Sequence, residues 1–169
     1  MLFEAFFPCE EYNRVQDVEF ARLYHEGYRG ILFDIDNTLV PHNAGPTDEI
    51  VAFLKNLMHM GYHICLLSNN QEPRVASFNA PIGADYIYKA GKPGIKGYQA
   101  AARKMGTSLD KTLFVGDQLF TDIWGANRAG IHSILVHPIH PKEEIQIVLK
   151  RRLEKPVLWF YHRKQRRNI

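Results

Sequence analysis

Short apolar runs recur along the chain and are separated by stretches in which apolar residues follow a helical period. Five such runs are rich in Ile, Leu, Val and Phe, and they read "ILFDI", "HICLLS", "DYIYK", "TLFVGD" and "HSILV". Nearly continuous apolar runs of this length are typical of parallel strands that are buried on both faces. The pattern therefore predicts five strands with helices between them.

The stretches between the strands carry helix start and stop signals. In residues 47–61, Thr47 can cap the first turn, two acidic residues follow it, and Gly61 ends the apolar stripe. The segments "GIKGYQAAARKMG" and "LFTDIWGANRAG" also close at a glycine. We further predict a helix ahead of the first strand, in residues 14–27, and another after the last, in residues 141–155.

The alternation of strands and helices defines the fold class. Strand–helix–strand units form right-handed crossovers, which place parallel strands in one sheet and helices on both of its faces. We therefore predict an α/β protein of three layers. No repeat or long linker divides the chain, so we assign residues 1–155 to a single domain and residues 156–169 to a basic, aromatic tail.

Composition excludes several classes of protein. The 169 residues are 46% hydrophobic and 23% charged, as in ordinary globular domains. No apolar run approaches the roughly 18 residues of a membrane span, and the first residues lack the positive start of a secretory signal. Two cysteines are too few for a disulfide framework. We expect a cytoplasmic protein in a reducing compartment.

Charge is unevenly distributed along the chain. Residues 150–169 hold eight Lys or Arg and one acid, whereas the remainder has 13 basic and 17 acidic residues. Within this basic segment lies the apolar cluster "VLWFY". Such a tail could dock on the anionic inner face of a membrane, bind nucleic acid, or pack on its own domain with solvated cations. The sequence leaves these three interpretations open.

Polar side chains stand at the predicted strand ends. In open α/β sheets the site lies beyond the carboxyl ends of the strands, so we expect these side chains to converge. The residues are Asp34, Asp36 and Thr38 after the first run, Ser68 and Asn69 after the second, Lys92 after the third, and Asp117 after the fourth, with Asp122 close behind.

This set of residue types predicts phosphate chemistry. Crowded carboxylates repel one another, and a hard cation such as Mg²⁺ relieves the repulsion. One aspartate, Asp34, can then attack phosphorus to form an acyl phosphate, while Asp36 protonates the leaving oxygen and later activates water. Lys92 and the Ser68 hydroxyl suit the phosphoryl oxygens. For Thr38 we favour a structural role, and we interpret His42 as a solvated loop residue.

The order of the motifs resembles a known superfamily. "DIDNT", "LLSNN", "GKP" and "GDQLFTD" look like the four-motif signature of the haloacid-dehalogenase-like (HAD) phosphohydrolases. The match spans residues 31–136. It implies a Rossmann-like sheet of strand order 5-4-1-2-3.

The resemblance also implies roles for individual residues. Asp34 would be nucleophile and metal ligand, Asp36 the general acid/base that ligates through its backbone carbonyl, and Asp117 a Mg²⁺ ligand. The phosphoryl group would be held by Ser68, Asn69 and Lys92. Asp122 would either ligate the metal or orient a ligand, because the acid in this motif varies in position.

Motif spacing narrows the subclass. Thr38 and Ser68 lie 30 positions apart, and Ser68 and Lys92 lie 24 apart, so neither gap can hold a cap domain. The chain resembles the capless subclass III, whose open sites take bulky substrates or are closed by a neighbouring subunit in an oligomer. "GDQLFTDIWGANRAG", the first helix and the length are similar to a family related to phosphatidylglycerophosphate phosphatases, which remove a lipid headgroup phosphate.

The sequence therefore predicts a Mg²⁺-dependent phosphomonoester hydrolase that acts through an aspartyl-phosphate, with a lipid phosphate as one substrate. Sugar phosphates and polynucleotide ends stay open as alternative substrates. A rival of another class is a non-catalytic protein, either a phospho-acceptor domain or a scaffold with a relict site. The second carboxylate beside Asp34 argues for turnover.

Overall fold

A computed structural model describes residues 3–140 and 145–166. The strands are β1 (Glu10–Tyr12), β2 (Gly30–Phe33), β3 (His63–Leu67), β4 (Asp85–Ile87), β5 (Thr112–Gly116) and β6 (His132–Val136). The helices are α1 (Phe20–His25), α2 (Asp48–Met60), α3 (Glu72–Asn79), α4 (Ile95–Met105), α5 (Trp124–Ala129) and α6 (Ile145–Gln165). The strands form one sheet in the order β1-β6-β5-β2-β3-β4, and every neighbouring pair is parallel.

The five predicted strands are β2 to β6, and the implied order is confirmed for them. The sequence prediction missed β1, which pairs with β6 at the edge of the sheet. Its three residues, "EEY", are half-buried and contain no apolar run. Short, charged strands of this kind are typical of sheet edges, and their pairing partner has to be known before they can be recognised.

The predicted start and end of α2 are confirmed. Thr47 Oγ1 accepts a hydrogen bond from the Ile50 amide at 3.2 Å, and Gly61 ends the helix with a φ of 110°. The first predicted helix is shorter than expected, because residues 14–27 form a 3-10 turn at Val15–Asp17 followed by α1. At the other end α6 continues through Pro156, so the predicted tail begins inside this helix. Residues 141–144 lie outside the described part of the chain.

Two apolar layers enclose the sheet. Along β2, Ile31 and Phe33 point into one layer with α1, α2 and α3, while Leu32 points into the other with α4 and α5. Both layers are buried, as the near-continuous apolar strands require. The three-layer α/β architecture is confirmed.

A third apolar cluster attaches α6 to the body of the protein. Val157 packs with Leu119 and Leu135, and Tyr161 lies against the ring of Phe7. The residues of the "VLWFY" cluster therefore point in different directions around the helix. Val157 and Tyr161 are buried, whereas Trp159 and Phe160 keep 54% and 43% of their surface exposed. No helix in the described ranges is both long and apolar enough to cross a bilayer.

Candidate active site

Adjacent strand ends bring Asp34 and Asp117 together. Asp34 directly follows β2 and Asp117 directly follows β5, and these strands pair in register, with Phe33 opposite Val115. Thr38 Oγ1 lies 3.1 Å from Asp34 Oδ2 and 3.3 Å from Asp117 Oδ1. The buried threonine therefore bridges the two carboxylates, in agreement with the structural role expected for it.

Lys92 reaches the same point from the loop after β4. Its Nζ lies 2.6 Å from Asp34 Oδ1 and 2.7 Å from Asp122 Oδ1, and all three side chains are buried. Asn69 holds the backbone of Lys92 from both sides: its Oδ1 accepts from the Lys92 amide at 2.8 Å and its Nδ2 donates to the Lys92 carbonyl at 3.1 Å. The Asn69 amide therefore positions the lysine.

Asp122 is placed by a π-helical turn, Leu119–Ile123, that follows β5. Asp122 Oδ2 accepts hydrogen bonds from the amides of Asp117 and Gln118, each at 3.2 Å. Gly116 is needed for this approach, because a Cβ at that position would lie 2.6 Å from Asp122 Oδ2. π-turns are frequent at functional sites, and here the turn brings a third carboxylate beside the first two.

The three carboxylates form a donor set that suits a hard cation. Asp34, Asp117 and Asp122 each offer one oxygen, and these oxygens lie within 4.8 Å of one another. Mg²⁺ prefers oxygen donors of this kind. The described residues therefore fit a divalent cation at this position.

Burial sets the electrostatics of the cluster. Desolvation raises the pKa of Asp34 to about 6, although the Lys92 ammonium opposes this change. Burial likewise raises the pKa of Asp117 well above its ordinary range, and the charges of Asp34 and Asp122 add to the rise. Burial lowers the pKa of Lys92, but the two neighbouring carboxylates outweigh it and the net direction is upward. The raised pKa values indicate that these crowded carboxylates resist ionising together, and an added cation would favour their ionised forms.

Asp36 lines the same cavity, but its carboxylate is turned away from the three acids. Oδ1 accepts from the Asn43 amide at 2.7 Å and from Arg74 at 3.0 Å, and Oδ2 accepts from Asn70 Nδ2 at 2.8 Å. The structure therefore ties the Asp36 side chain to the start of α3, and the described acidic cluster does not include it. Sequence reasoning did not identify Arg74, because a lone arginine in a helix carries no motif.

Ser68 is buried at the end of β3 and faces the cavity. Its Oγ accepts a hydrogen bond from the Asn70 amide at 3.1 Å. A hydroxyl keeps one hydrogen to donate when it accepts. Ser68 can therefore donate to an anionic group bound in the cavity.

Helix α6 contributes residues that sequence reasoning missed. The Arg151 guanidinium forms an ion pair with the Asp117 carboxylate, and its Nη1 donates to the Asp117 carbonyl at 2.6 Å. The buried Glu154 accepts from the Leu119 amide at 2.8 Å. Both residues lie in the basic C-terminal segment, and neither belongs to a motif. The sequence therefore gave no signal that they contact the residues of the site.

Many of the site residues line an open cavity of about 280 Å³. Lys150 of α6 lines it, as does His42, whose Nδ1 lies 3.9 Å from Asp36 Oδ1. The His42 side chain keeps 27% of its surface exposed, so it is partly solvated and also lines the cavity. The remaining lining residues are Asp34, Asp36, Asn37, Ser68, Asn69, Asn70, Lys92, Gln118, Thr121 and Asp122. A cavity needs only about 10–15 Å³ of such space to hold one water molecule, so this one has room for a group several times larger, such as a phosphoryl group.

Comparison with known proteins agrees with this fold and site. Residues 89–143 match the family model described as HAD-hydrolase-like. The probable phosphatase YqeG of Bacillus subtilis is 33% identical over 97% of this chain and 96% of its own length. The chain therefore belongs to the HAD superfamily.

Within that superfamily it is a HAD-type phosphatase related to the phosphatidylglycerophosphate phosphatases. Phosphatidylglycerophosphate phosphatase 1, chloroplastic/mitochondrial, of Arabidopsis thaliana is 27% identical over 87% of this chain, which spans 45% of the plant protein. The cobalt-bound form of deoxy-D-mannose-octulosonate 8-phosphate phosphatase (YrbI) from Haemophilus influenzae has the same fold. Its TM-score is 0.53 at 15% identity, over 66% of this chain and 69% of that one.

Proposed function

We propose that this phosphatase hydrolyses the phosphomonoester of a lipid headgroup, with Mg²⁺ as cofactor and an aspartyl-phosphate on Asp34 as intermediate. The observation that carries the proposal is the buried cluster of Asp34, Asp117 and Asp122, in which Lys92 contacts Asp34 and Asp122 and these three residues line an open cavity. A carboxylate nucleophile, an ammonium group and a cation-binding acidic set are what transfer of a phosphoryl group to aspartate requires.

The first half-reaction uses both aspartates of "DIDNT". An oxygen of Asp34 attacks phosphorus, the bond from phosphorus to the ester oxygen breaks, and Asp36 donates a proton to that departing oxygen. Lys92 and the Ser68 hydroxyl stabilise the negative charge of the phosphoryl oxygens. For this step we propose that Asp36 releases Arg74 and turns toward the leaving group, since its carboxylate already lines the cavity.

The second half-reaction regenerates the enzyme. Asp36, now ionised, takes a proton from water, whose oxygen attacks phosphorus. The bond between phosphorus and Asp34 then breaks, inorganic phosphate leaves, and Asp34 returns as a carboxylate. One residue thus serves as acid and then as base, which makes two carboxylates sufficient for turnover.

Asp34, Asp117 and Asp122 would hold the cation, with the Asp36 backbone carbonyl as a further ligand. Bound Mg²⁺ supplies positive charge that lets a carboxylate approach an anionic phosphoryl group. Asp122 has a second role as well, because its carboxylate accepts hydrogen bonds from Lys92 and from two backbone amides. It therefore orients the lysine and the loop that carries Asp117.

Two observations favour a lipid phosphate over the alternative substrates. The relative from Arabidopsis thaliana is a phosphatidylglycerophosphate phosphatase and aligns with 87% of this chain. The cavity is open and no cap domain lies in either crossover, since residues 38–68 hold only a loop, α2 and β3, and residues 68–92 only α3 and β4. A sugar phosphate or a polynucleotide end would also fit the phosphoryl pocket, so the substrate must be tested directly.

The test is phosphate release from a panel of substrates. It contains vesicle-borne phosphatidylglycerophosphate, several sugar phosphates, a 3′-phosphorylated oligonucleotide and p-nitrophenyl phosphate. We expect the lipid to have the highest kcat/KM, and we expect EDTA to abolish release from every substrate until Mg²⁺ is restored. Activity that survives EDTA would show that no metal ion is required. A higher kcat/KM for a sugar phosphate than for the lipid would show that the lipid is not the preferred substrate.

Replacement of Asp36 by asparagine tests the proton-transfer role. We expect kcat/KM for an alkyl phosphate to fall by about 10² to 10⁴-fold, the usual contribution of general acid/base catalysis. The loss should be smaller for p-nitrophenyl phosphate, because nitrophenolate leaves without needing a proton. Asp110→Asn, at an exposed position, is the control and should leave both values unchanged. Equal losses for the two substrates would show that Asp36 does not protonate the leaving group.

A further inference from the structure

Helix α6 exposes apolar residues on its outer face. Leu149 and Leu153 each keep 60% of their surface exposed, and Phe160 keeps 43%. Together with Pro156 they recur at spacings of four, seven and eleven positions, which places them on one side of a helix. We call these four residues the α6 stripe. A different side of the helix, about 100° round, buries Glu154, Val157 and Tyr161. Within the stripe, the Phe160 ring stacks on Phe3 at 5.4 Å between centroids, and the two leucines are more exposed than Phe160.

Positive charge surrounds the α6 stripe. The segment of residues 150–169 holds eight Lys or Arg and only one acid. That acid, Glu154, is buried and accepts the Leu119 amide, so it does not offset the charge at the surface. Exposed cations that lie three or four positions from a stripe residue include Lys150, Arg152 and Arg163. Apolar residues set among cations are complementary to a surface that is apolar inside and anionic outside.

The α6 stripe lies beside the opening of the cavity. Lys150 lines the cavity, and Leu153, three positions later, is its neighbour on the surface of the helix. Ile139, which is 47% exposed, is held at the same opening because its amide donates to the carbonyl of the cavity-lining Asn37 at 3.2 Å. An apolar rim therefore adjoins the phosphoryl site.

We propose that the α6 stripe, with Ile139 and the surrounding cations, docks on an anionic lipid bilayer and thereby brings the cavity to the level of the headgroup phosphates. The proposal rests on the proposed function, since it supplies the route by which a lipid phosphate reaches Asp34. Nucleic acid would account for the cations and for Trp159, but it offers no apolar surface for two adjacent leucines. A bilayer accounts for both.

Vesicle binding tests this surface independently of catalysis. The full chain is floated with vesicles of phosphatidylcholine alone or of phosphatidylcholine mixed with phosphatidylglycerol, and the bound fraction is measured. We expect binding only to the anionic vesicles. Leu153→Asp should weaken it by at least about tenfold, because it places an anion where a leucine enters the bilayer. Met60→Asp is the matched control: it introduces the same charge at a comparably exposed apolar residue, at the end of α2, and should bind as wild type does.

Two activity measurements accompany the binding. Leu153→Asp should lower kcat/KM for vesicle-borne phosphatidylglycerophosphate by about tenfold, in parallel with binding. It should leave p-nitrophenyl phosphate hydrolysis within about twofold of wild type, because Leu153 does not line the cavity. An unchanged rate on the soluble substrate also shows that the variant is folded.

Several results would overturn the docking surface. They are equal binding to neutral and anionic vesicles, undiminished vesicle binding by Leu153→Asp, and a Leu153→Asp defect that appears instead in oligonucleotide binding or in self-association. Failure of the proposed substrate gives a different result. Vesicle binding that is sensitive to Leu153→Asp, together with hydrolysis of soluble phosphates only, would support the surface and overturn the lipid phosphate as substrate.

Discussion

Replacing Asp34 by asparagine is expected to abolish phosphate release, with a fall in kcat of at least about 10⁴-fold, as when other enzymes lose a nucleophile. An amide lacks the negative charge needed to attack phosphorus, and no other described acid at this site lies directly at the end of β2. Asparagine has nearly the same shape as aspartate, and its side-chain oxygen can still accept from Lys92. Its NH₂ group would then face the Thr38 hydroxyl, which can accept a hydrogen bond while it donates to Asp117. The fold should therefore persist while the chemistry is lost.

The experiment separates loss of the nucleophile from loss of structure. Far-UV circular dichroism and the urea midpoint report the fold, and acid quenching after brief exposure to a ³²P-labelled substrate reports the acyl phosphate. We expect labelled Asp34 in the wild type, no label in Asp34→Asn, and full label in the exposed control Asp110→Asn. Label retained by Asp34→Asn would mean that another residue receives the phosphoryl group.

Replacing Lys92 by methionine should have the largest effect on stability. The buried ammonium lies within 2.7 Å of both Asp34 and Asp122, and its removal leaves these carboxylates buried without their cation. Breaking a buried ion pair from one side costs about 3–5 kcal/mol of unfolding free energy. Methionine fills a similar volume, so the loss reports charge rather than a cavity. Turnover should fall too, because we propose that Lys92 holds the phosphoryl group.

The sign of the pH dependence identifies the cause. Burial already raises the pKa of Asp34 to about 6, and the Lys92 charge limits this rise, so the pKa should rise further in Lys92→Met. An acid whose pKa is higher in the folded state than in the unfolded state takes up protons on folding, and stability therefore increases as the pH falls. In EDTA, the deficit of the variant should therefore be smaller at pH 5 than at pH 7, because these two pH values lie about one unit either side of the Asp34 pKa.

Urea unfolding of the metal-free protein at the two pH values provides the measurement. Lys104→Met is the control, since Lys104 is exposed and contacts only the ring and carbonyl of Tyr86 among the described residues. We expect it to change the unfolding free energy by no more than about 0.5 kcal/mol. A Lys92→Met variant as stable as wild type at pH 7 would show that the acidic cluster does not need the lysine charge.

Many features of this protein can be predicted because short stretches of the sequence specify them. The strands β2 to β6 appear as apolar runs, and α2 carries both of its end signals in "TDEIVAFLKNLMHMG". The rule that parallel strands present their carboxyl ends at one edge then sufficed to expect Asp34, Lys92 and Asp117 near one another, as the structure places them.

Other features depend on contacts between distant parts of the chain. β1 is a strand only because β6, more than 100 residues later, offers it an edge. The Asp36 carboxylate is directed by Arg74 and Asn70, which belong to the next crossover. Neither the charge of β1 or Asp36 nor the spacing of apolar residues around them indicates which distant residues they contact.

Helix α6 shows the same contrast between local sequence signals and long-range contacts. The sequence alone predicted the strands β2 to β6, both ends of α2, the acids at the strand ends and the basic character of the C-terminal segment. The tertiary structure decided that the helix continues past Pro156, where burial of Val157 and Tyr161 offsets the hydrogen bond that proline removes. It also decided that Arg151 reaches Asp117 while the leucines of the stripe face outward. Local patterns record periodicity and end signals, whereas the face that a helix buries is selected only when it meets the rest of the protein.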